Sequence, residues 1–162
     1  MGRRLIILRH AKSDWNTDAG SDHERPLNAR GRRSAPLVGA HLETLGWVPE
    51  VVICSDATRT RQTWEHMASA FDDPRVEFTR ALYLAGPAEV RAAIEPLSDD
   101  ITTAMVIGHN HGWEDVVYEL TGVRVRMTTC NAALLTVPAD TWSDAAKRSD
   151  WTFETVVRPK EI

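Results

Sequence analysis

The chain has 162 residues, enough to bury one core of sheet and helix without help from disulfides or metals. Nineteen Lys and Arg against 23 Asp and Glu leave a net charge of −4, which excludes a general attraction for nucleic acid or an anionic membrane, so any anion site must be local. Cys54 and Cys130 lack disulfide-framework or zinc spacing and read as free thiols, and the apolar stretch 5–8 is too short for a leader or a span, so a soluble protein of the reducing cytoplasm is expected.

In chain order, residues 5–8 form a first short apolar run without alternation, the pattern of a strand covered on both faces. Residues 15–27 are polar and rich in Asp, which predicts a loop overhanging that strand's carboxyl end. Ala35, Val38, Leu42 and Leu45 then recur at helical spacing and stop at Gly46. A second strand is expected over 51–54 and a second helix carrying Trp64, Met67, Ala68 and Phe71 on one face. Pro87 after Gly86 suits the first turn of a third helix running towards Leu97. A strand at 104–107, a helix over 113–120 ending at Gly122, and strands at 133–137 and 151–157 complete the pattern. No repeat or linker interrupts it, so residues 1–162 read as one domain. Strands alternating with helices predict a three-layer α/β/α domain with a mostly parallel central sheet.

Three strands end in abrupt polar signatures. Leu8 gives way to Arg9-His10, Cys54 to Ser55-Asp56 with Arg59 close behind, and Ile107 to Gly108-His109-Asn110. Ligands of open α/β sheets bind outside the carboxyl ends of the strands. If these strands are parallel neighbours, two arginines and two histidines meet in one cleft, a site suited to a phosphate dianion.

These segments carry a resemblance. Leu8-Arg9-His10-Ala11-Lys12-Ser13-Asp14-Trp15 resembles the RHG-type signature of the histidine phosphatases, with Ala in place of Gly as in SixA-like members. The stretch from Ser55 through Arg59 to Gln62-Thr63 is similar to the superfamily's second motif, with Asp56 where Pro is usual. Val106-Ile107-Gly108-His109-Asn110 is similar to the third, with His111 where the SixA branch often has Pro. The stretch from Asp22-His23-Glu24-Arg25 to Gly31 resembles a segment of that short branch, and Leu82-Tyr83-Leu84-Ala85 adds to it. In order and at matching spacing, the resemblance runs from about residue 5 to residue 137. It implies a phosphoglycerate mutase-like fold and a phosphohistidine phosphatase of the SixA type.

The implied chemistry needs these residue types together. His10 is the expected nucleophile, transiently phosphorylated, with Arg9 and Arg59 opposing its protonation and holding the equatorial oxygens. His109 stands where the family places a second histidine, expected to donate in its charged form. Asn110, Lys12, Ser13 and Arg25 are candidate phosphate- or substrate-binding residues, Arg25 with Asp22 as its charge partner. His23, His41, His66 and His111 read as packing or surface histidines. Residues 79–86 hold no Asp or Glu to serve as leaving-group acid, although Asp22, Glu24 and Glu77 remain candidates. A phosphoester needs its alkoxide protonated, whereas a phosphoramidate leaves as an imidazole that can already carry a proton, so phosphohistidine is favoured. The expected partner is a phosphohistidine-bearing signalling or phosphocarrier protein reaching an open cleft, with no metal, cofactor, nucleic acid or membrane. The alternatives are a phosphatase of small phosphomonoesters and a non-catalytic phosphate-binding module.

Overall fold

The computed structural model describes residues 2–162. Its sheet has six strands, β1 (Arg3–Arg9), β2 (Val51–Ser55), β3 (Arg75–Thr79), β4 (Thr103–Gly108), β5 (Ala132–Val137) and β6 (Thr152–Val157), in the order β3-β2-β4-β1-β5-β6. The first four in that order are parallel, and β5 and β6 run against their neighbours. The helices are α1 (Ala29–Thr44), α2 (Thr58–Met67), α3 (Pro87–Ile94), α4 (Gly112–Thr121) and the single turn α5 (Trp142–Ala145). The sheet is therefore mixed but mostly parallel and flanked by helices, as the sequence pattern predicts.

The unbroken apolar runs have a direct cause. Ile6, Leu8, Val52, Cys54, Met105 and Ile107 pack on one face against Ala35, Val38 and Leu42 of α1 and Trp64 and Met67 of α2. Their neighbours Leu5, Ile7, Val51, Ile53, Ala104 and Val106 pack on the other face against Val90 and Ile94 of α3 and Trp113, Val116 and Leu120 of α4. With both faces covered, successive residues all gain from being apolar, at about 1.5–3 kcal/mol for each large side chain buried.

Several boundaries differ from expectation. β3, sequence Arg-Val-Glu-Phe-Thr, is an edge strand with mostly exposed residues, and its pairing with β2 rather than any apolar run makes it a strand. The second helix ends at Met67 and a 3-10 turn, Ala68–Ala70, carries the chain on to Phe71, which still packs in the core. The third helix ends at Ile94, short of Leu97. Leu45, expected on the buried face of α1, caps that helix and is 46% exposed. Trp151 lies just before β6 rather than within it, yet is buried. Gly122 closes α4 at φ 77°, a left-handed conformation that favours glycine.

The topology fixes where function can sit. In the order β2-β4-β1 the three strands with polar endings are adjacent and parallel, so their carboxyl ends share one edge. Because β5 and β6 are antiparallel there, the start of β5 and the end of β6 reach the same edge. Residues 15–27 have no helix or strand, and Ser13 and Leu27 pair in a single bridge at the base of the loop.

Candidate active site

His10 leaves β1 into a backbone clamp made by three elements. Its N–H donates to Gly108 O at the end of β4 (3.0 Å), its carbonyl accepts from Cys130 N–H (2.9 Å), and Ala11 N–H donates to Thr63 Oγ1 on α2 (2.9 Å). The ring is 5% exposed, and Nδ1 donates to Ala11 O at 2.7 Å. That bond places the proton on Nδ1, so Nε2 keeps its lone pair. Burial pushes the His10 pKa well below the ordinary histidine value, and the nearby His109, Arg59 and Arg9 push in the same direction. The guanidiniums therefore assist, but desolvation is the larger cause of a neutral imidazole.

His109 lies with its ring 5.3 Å from that of His10 and is 2% exposed. Burial, with Arg59 adding, lowers its pKa to about 3. At neutral pH the free protein thus holds His109 uncharged, which differs from the charged donor expected from the sequence. Its Nε2 lies 2.9 Å from Ser55 Oγ, and Ser55 Oγ already accepts from Ala57 N–H at 3.3 Å. The Ser55 hydroxyl can donate to or accept from Nε2, while the Nδ1 of His109 is buried and has no protein partner. A phosphate dianion arriving nearby would raise the pKa again.

The arginines are held differently. Arg59, 3% exposed near the start of α2, donates through Nη1 to Asp22 O (2.7 Å) and through Nη2 to Asp22 Oδ2 (3.0 Å). Arg25 reaches the other oxygen of the same carboxylate at 3.1 Å, donates to Ser13 Oγ, and stacks on Trp15 at 3.6 Å. Tyr83 OH donates to Asp22 Oδ2 at 2.6 Å. Burial raises the Asp22 pKa, but the bonds from Tyr83, Arg25 and Arg59 outweigh it and hold the carboxyl well below the usual range. Asp22 is an anion seated on Arg59, Arg25 and Tyr83 and a poor proton donor. The other two candidates are placed no better. Glu24 accepts from Ser21 on the exposed loop, and Glu77 lies on edge strand β3, in register with Ile53.

Arg9 donates through Nη1 to Met127 O (3.0 Å), and Asn110 Nδ2 donates to the same carbonyl (2.8 Å). Asn110 therefore ties the segment before β5 to the end of β4. Ser13 is engaged with Arg25 at the base of the loop, and Lys12 lines a pocket together with Arg9. Of the residues singled out in the sequence, the structure gathers His10, Arg59 and His109 with Arg9 at their flank, joins Asn110 to Arg9 through the Met127 carbonyl, and places Arg25 one layer out through Asp22. His23, read as a packing histidine, is a wall of the cleft: its Nε2 bonds Asp56 Oδ1 (2.7 Å) and its ring meets that of Tyr83 at 4.8 Å. Tyr83 in turn stands edge-on to His109 at 5.4 Å. Asp56, the departure from Pro, is the partner that holds His23. The adjacency of Asp22-His23 to Arg25 in one segment was the signal available, but no periodicity ranks His23 above the other histidines.

Comparison with known proteins agrees with this geometry. Residues 5–83 match the family model of the histidine phosphatase superfamily, branch 1. An uncharacterized chloroplastic protein of Arabidopsis thaliana is 38% identical over 173 residues, covering 98% of this chain and 79% of the relative. An uncharacterized protein of Mycobacterium leprae is 39% identical over 118 residues, 71% of each chain. Among solved structures, a Nakamurella multipartitia protein provisionally described as the phosphohistidine phosphatase SixA superposes with TM-score 0.86 at 27% identity, covering 98% of this chain and 97% of that one. The protein histidine phosphatase SixA complexed with tungstate superposes with TM-score 0.83 at 25% identity over 98% of both chains. A chain with this sheet, this histidine pair and these matches belongs to branch 1 of the histidine phosphatase superfamily.

Proposed function

We propose that this chain removes phosphate from phosphohistidine on another protein, through a phospho-His10 intermediate. The observation that carries the reading is the state of His10: neutral, with Nδ1 committed to Ala11 O and Nε2 free, beside Arg59 and His109. In the first step Nε2 attacks phosphorus, the P–N bond of the substrate breaks, and the leaving imidazole departs with the proton on its other nitrogen. Arg9 and Arg59 hold the equatorial oxygens, with His109 beside them as a further donor. In the second step water attacks the phosphoryl group, the P–Nε2 bond breaks, and inorganic phosphate leaves with His10 neutral again.

Asp22, held as an anion by Tyr83, Arg25 and Arg59, is a poor proton donor to an alkoxide, which fits a substrate whose leaving group needs no such acid. An imidazole leaving group has no such need. That a structurally similar SixA protein has been solved with tungstate, a tetrahedral oxyanion, supports an oxyanion as the ligand of this chain. Two buried free thiols, Cys54 and Cys130, fit a reducing compartment such as the cytoplasm, and no helix among the described residues is long and apolar enough to cross a membrane.

The test is a parallel assay of the wild-type chain and His10→Ala on a phosphohistidine protein and on aryl and sugar phosphates. Phosphohistidine should be cleared by the wild type only. Equal or better turnover of sugar phosphates would overturn the substrate class, and wild-type inertness on every substrate would leave a phosphate-binding module.

A further inference from the structure

Beyond Arg9 the same sheet edge continues into a second concavity, of about 700 Å³, between the start of α1, the segment before β5 and the turn after β6. Its walls carry Arg9, Lys12, Arg30, Arg126, Arg158 and Lys160, opposed by one carboxylate, Glu161. Among the described residues, Lys12, Arg30, Arg126 and Lys160 enter no ion pair. In a chain of net charge −4 such a concentration of unpaired cations is a local positive field on a molecule that otherwise repels anions.

The form of the site says what kind of anion it fits. Arg25 and Arg59 converge on one carboxylate, as guanidiniums do when they grip a single group. The cations of the second pocket instead come from separate segments, and Arg30, Arg126 and Lys160 are exposed. A spread, solvated set of charges suits several carboxylates on an extended segment and acts mainly on encounter and orientation. Arg9 lines this pocket and also acts electrostatically on His10, so the pocket adjoins the cleft.

We propose that this pocket docks an acidic segment, several Asp or Glu residues, of the phosphorylated protein whose phosphohistidine enters at His10. This deepens the phosphohistidine reading and rests on it for the identity of the partner. The charge-reversed pair Arg126→Glu with Lys160→Glu tests it, since neither residue belongs to the phosphate machinery and both are exposed. On a phosphohistidine protein with an acidic surface, kcat/KM should fall tenfold or more, mainly through KM, with a shallower dependence on salt. Phosphoramidate turnover should be unchanged, which also shows that the variant is folded. Independently of catalysis, fluorescein-labelled hexaglutamate should bind the wild type at low salt, by anisotropy, and bind the variant at least tenfold more weakly. Failure of hexaglutamate to bind overturns the docking proposal whether or not phosphohistidine is hydrolysed, and so does an equal loss on phosphoramidate. Tight binding of tripolyphosphate with none of the peptide reassigns the pocket to a polyphosphorylated small molecule and overturns it as well. Retained peptide binding in a chain inert towards phosphohistidine overturns the functional reading and leaves an acidic ligand in the pocket.

Discussion

The two concavities that adjoin at Arg9 use positive charge in opposite ways. In the cleft, His10, His109 and Arg59 are nearly inaccessible, the histidines are neutral, and Arg59 is already matched to Asp22. In the neighbouring pocket Arg30, Arg126 and Lys160 are solvated and enter no ion pair among the described residues. Desolvated groups act strongly at short range and only in one geometry, whereas solvated charges act weakly, at a distance, and are screened by salt. The difference teaches that a histidine is kept neutral chiefly by removing water, and that a field of positive charge can lie beside such a site without entering it.

The largest expected effect is at His10. His10→Ala should lower turnover by about 10⁴-fold or more on every substrate, measured by phosphate release, because the proposed phosphoryl acceptor is gone. Arg59→Ala should cost about 10²–10³-fold in kcat/KM, equally on phosphoprotein and phosphoramidate, as expected for a donor acting on the phosphoryl oxygens. A loss confined to the phosphoprotein would erase the distinction between the cleft and the pocket.

Acidification probes the buried side of the comparison. His10 and His109 have folded pKa values below the ordinary 6.5, so the unfolded chain binds more protons below that value and stability falls as pH drops through 6.5. With His109 near 3, its contribution at pH 5 is a loss of about 2 kcal/mol relative to pH 8. Asp22, with its depressed pKa, acts in the same direction at lower pH. Urea midpoints at pH 8 and pH 5 measure the slope, and His109→Gln should flatten it.

A smaller effect is expected at the joint between the two regions. Gly31 in the first turn of α1 lies directly beneath the Lys12 carbonyl, where any Cβ would collide with backbone. Gly31→Ala should therefore cost about 1–3 kcal/mol in a urea titration and disturb the segment after His10 and the basic pocket together. An unchanged midpoint would mean that α1 and this loop move independently.

The architecture was legible where residues are buried on both sides. Residues 5–8, 51–54 and 104–107 declare themselves as strands because neither face tolerates a polar residue, and the polar breaks after them mark the functional edge. Edge strand β3 was not legible, since Arg75, Glu77 and Phe78 lie exposed and pairing with β2 alone makes them a strand. In the site, His10, Arg9, Arg59 and His109 stand out by motif and spacing. The part played by His23 and Tyr83 as walls of the cleft did not, because it depends on a loop folding back over the ends of β2 and β4.

By itself the sequence determined the alternation of strand and helix, the family, and the residue types gathered at the strand ends, all of which follow from local pattern and order along the chain. Only the tertiary structure decided that both histidines are neutral, that Asp22 occupies Arg59, and that cations from four distant segments surround a second pocket. Protonation and pairing depend on the water excluded and the charges brought near, and both are set by contacts between segments far apart in the chain.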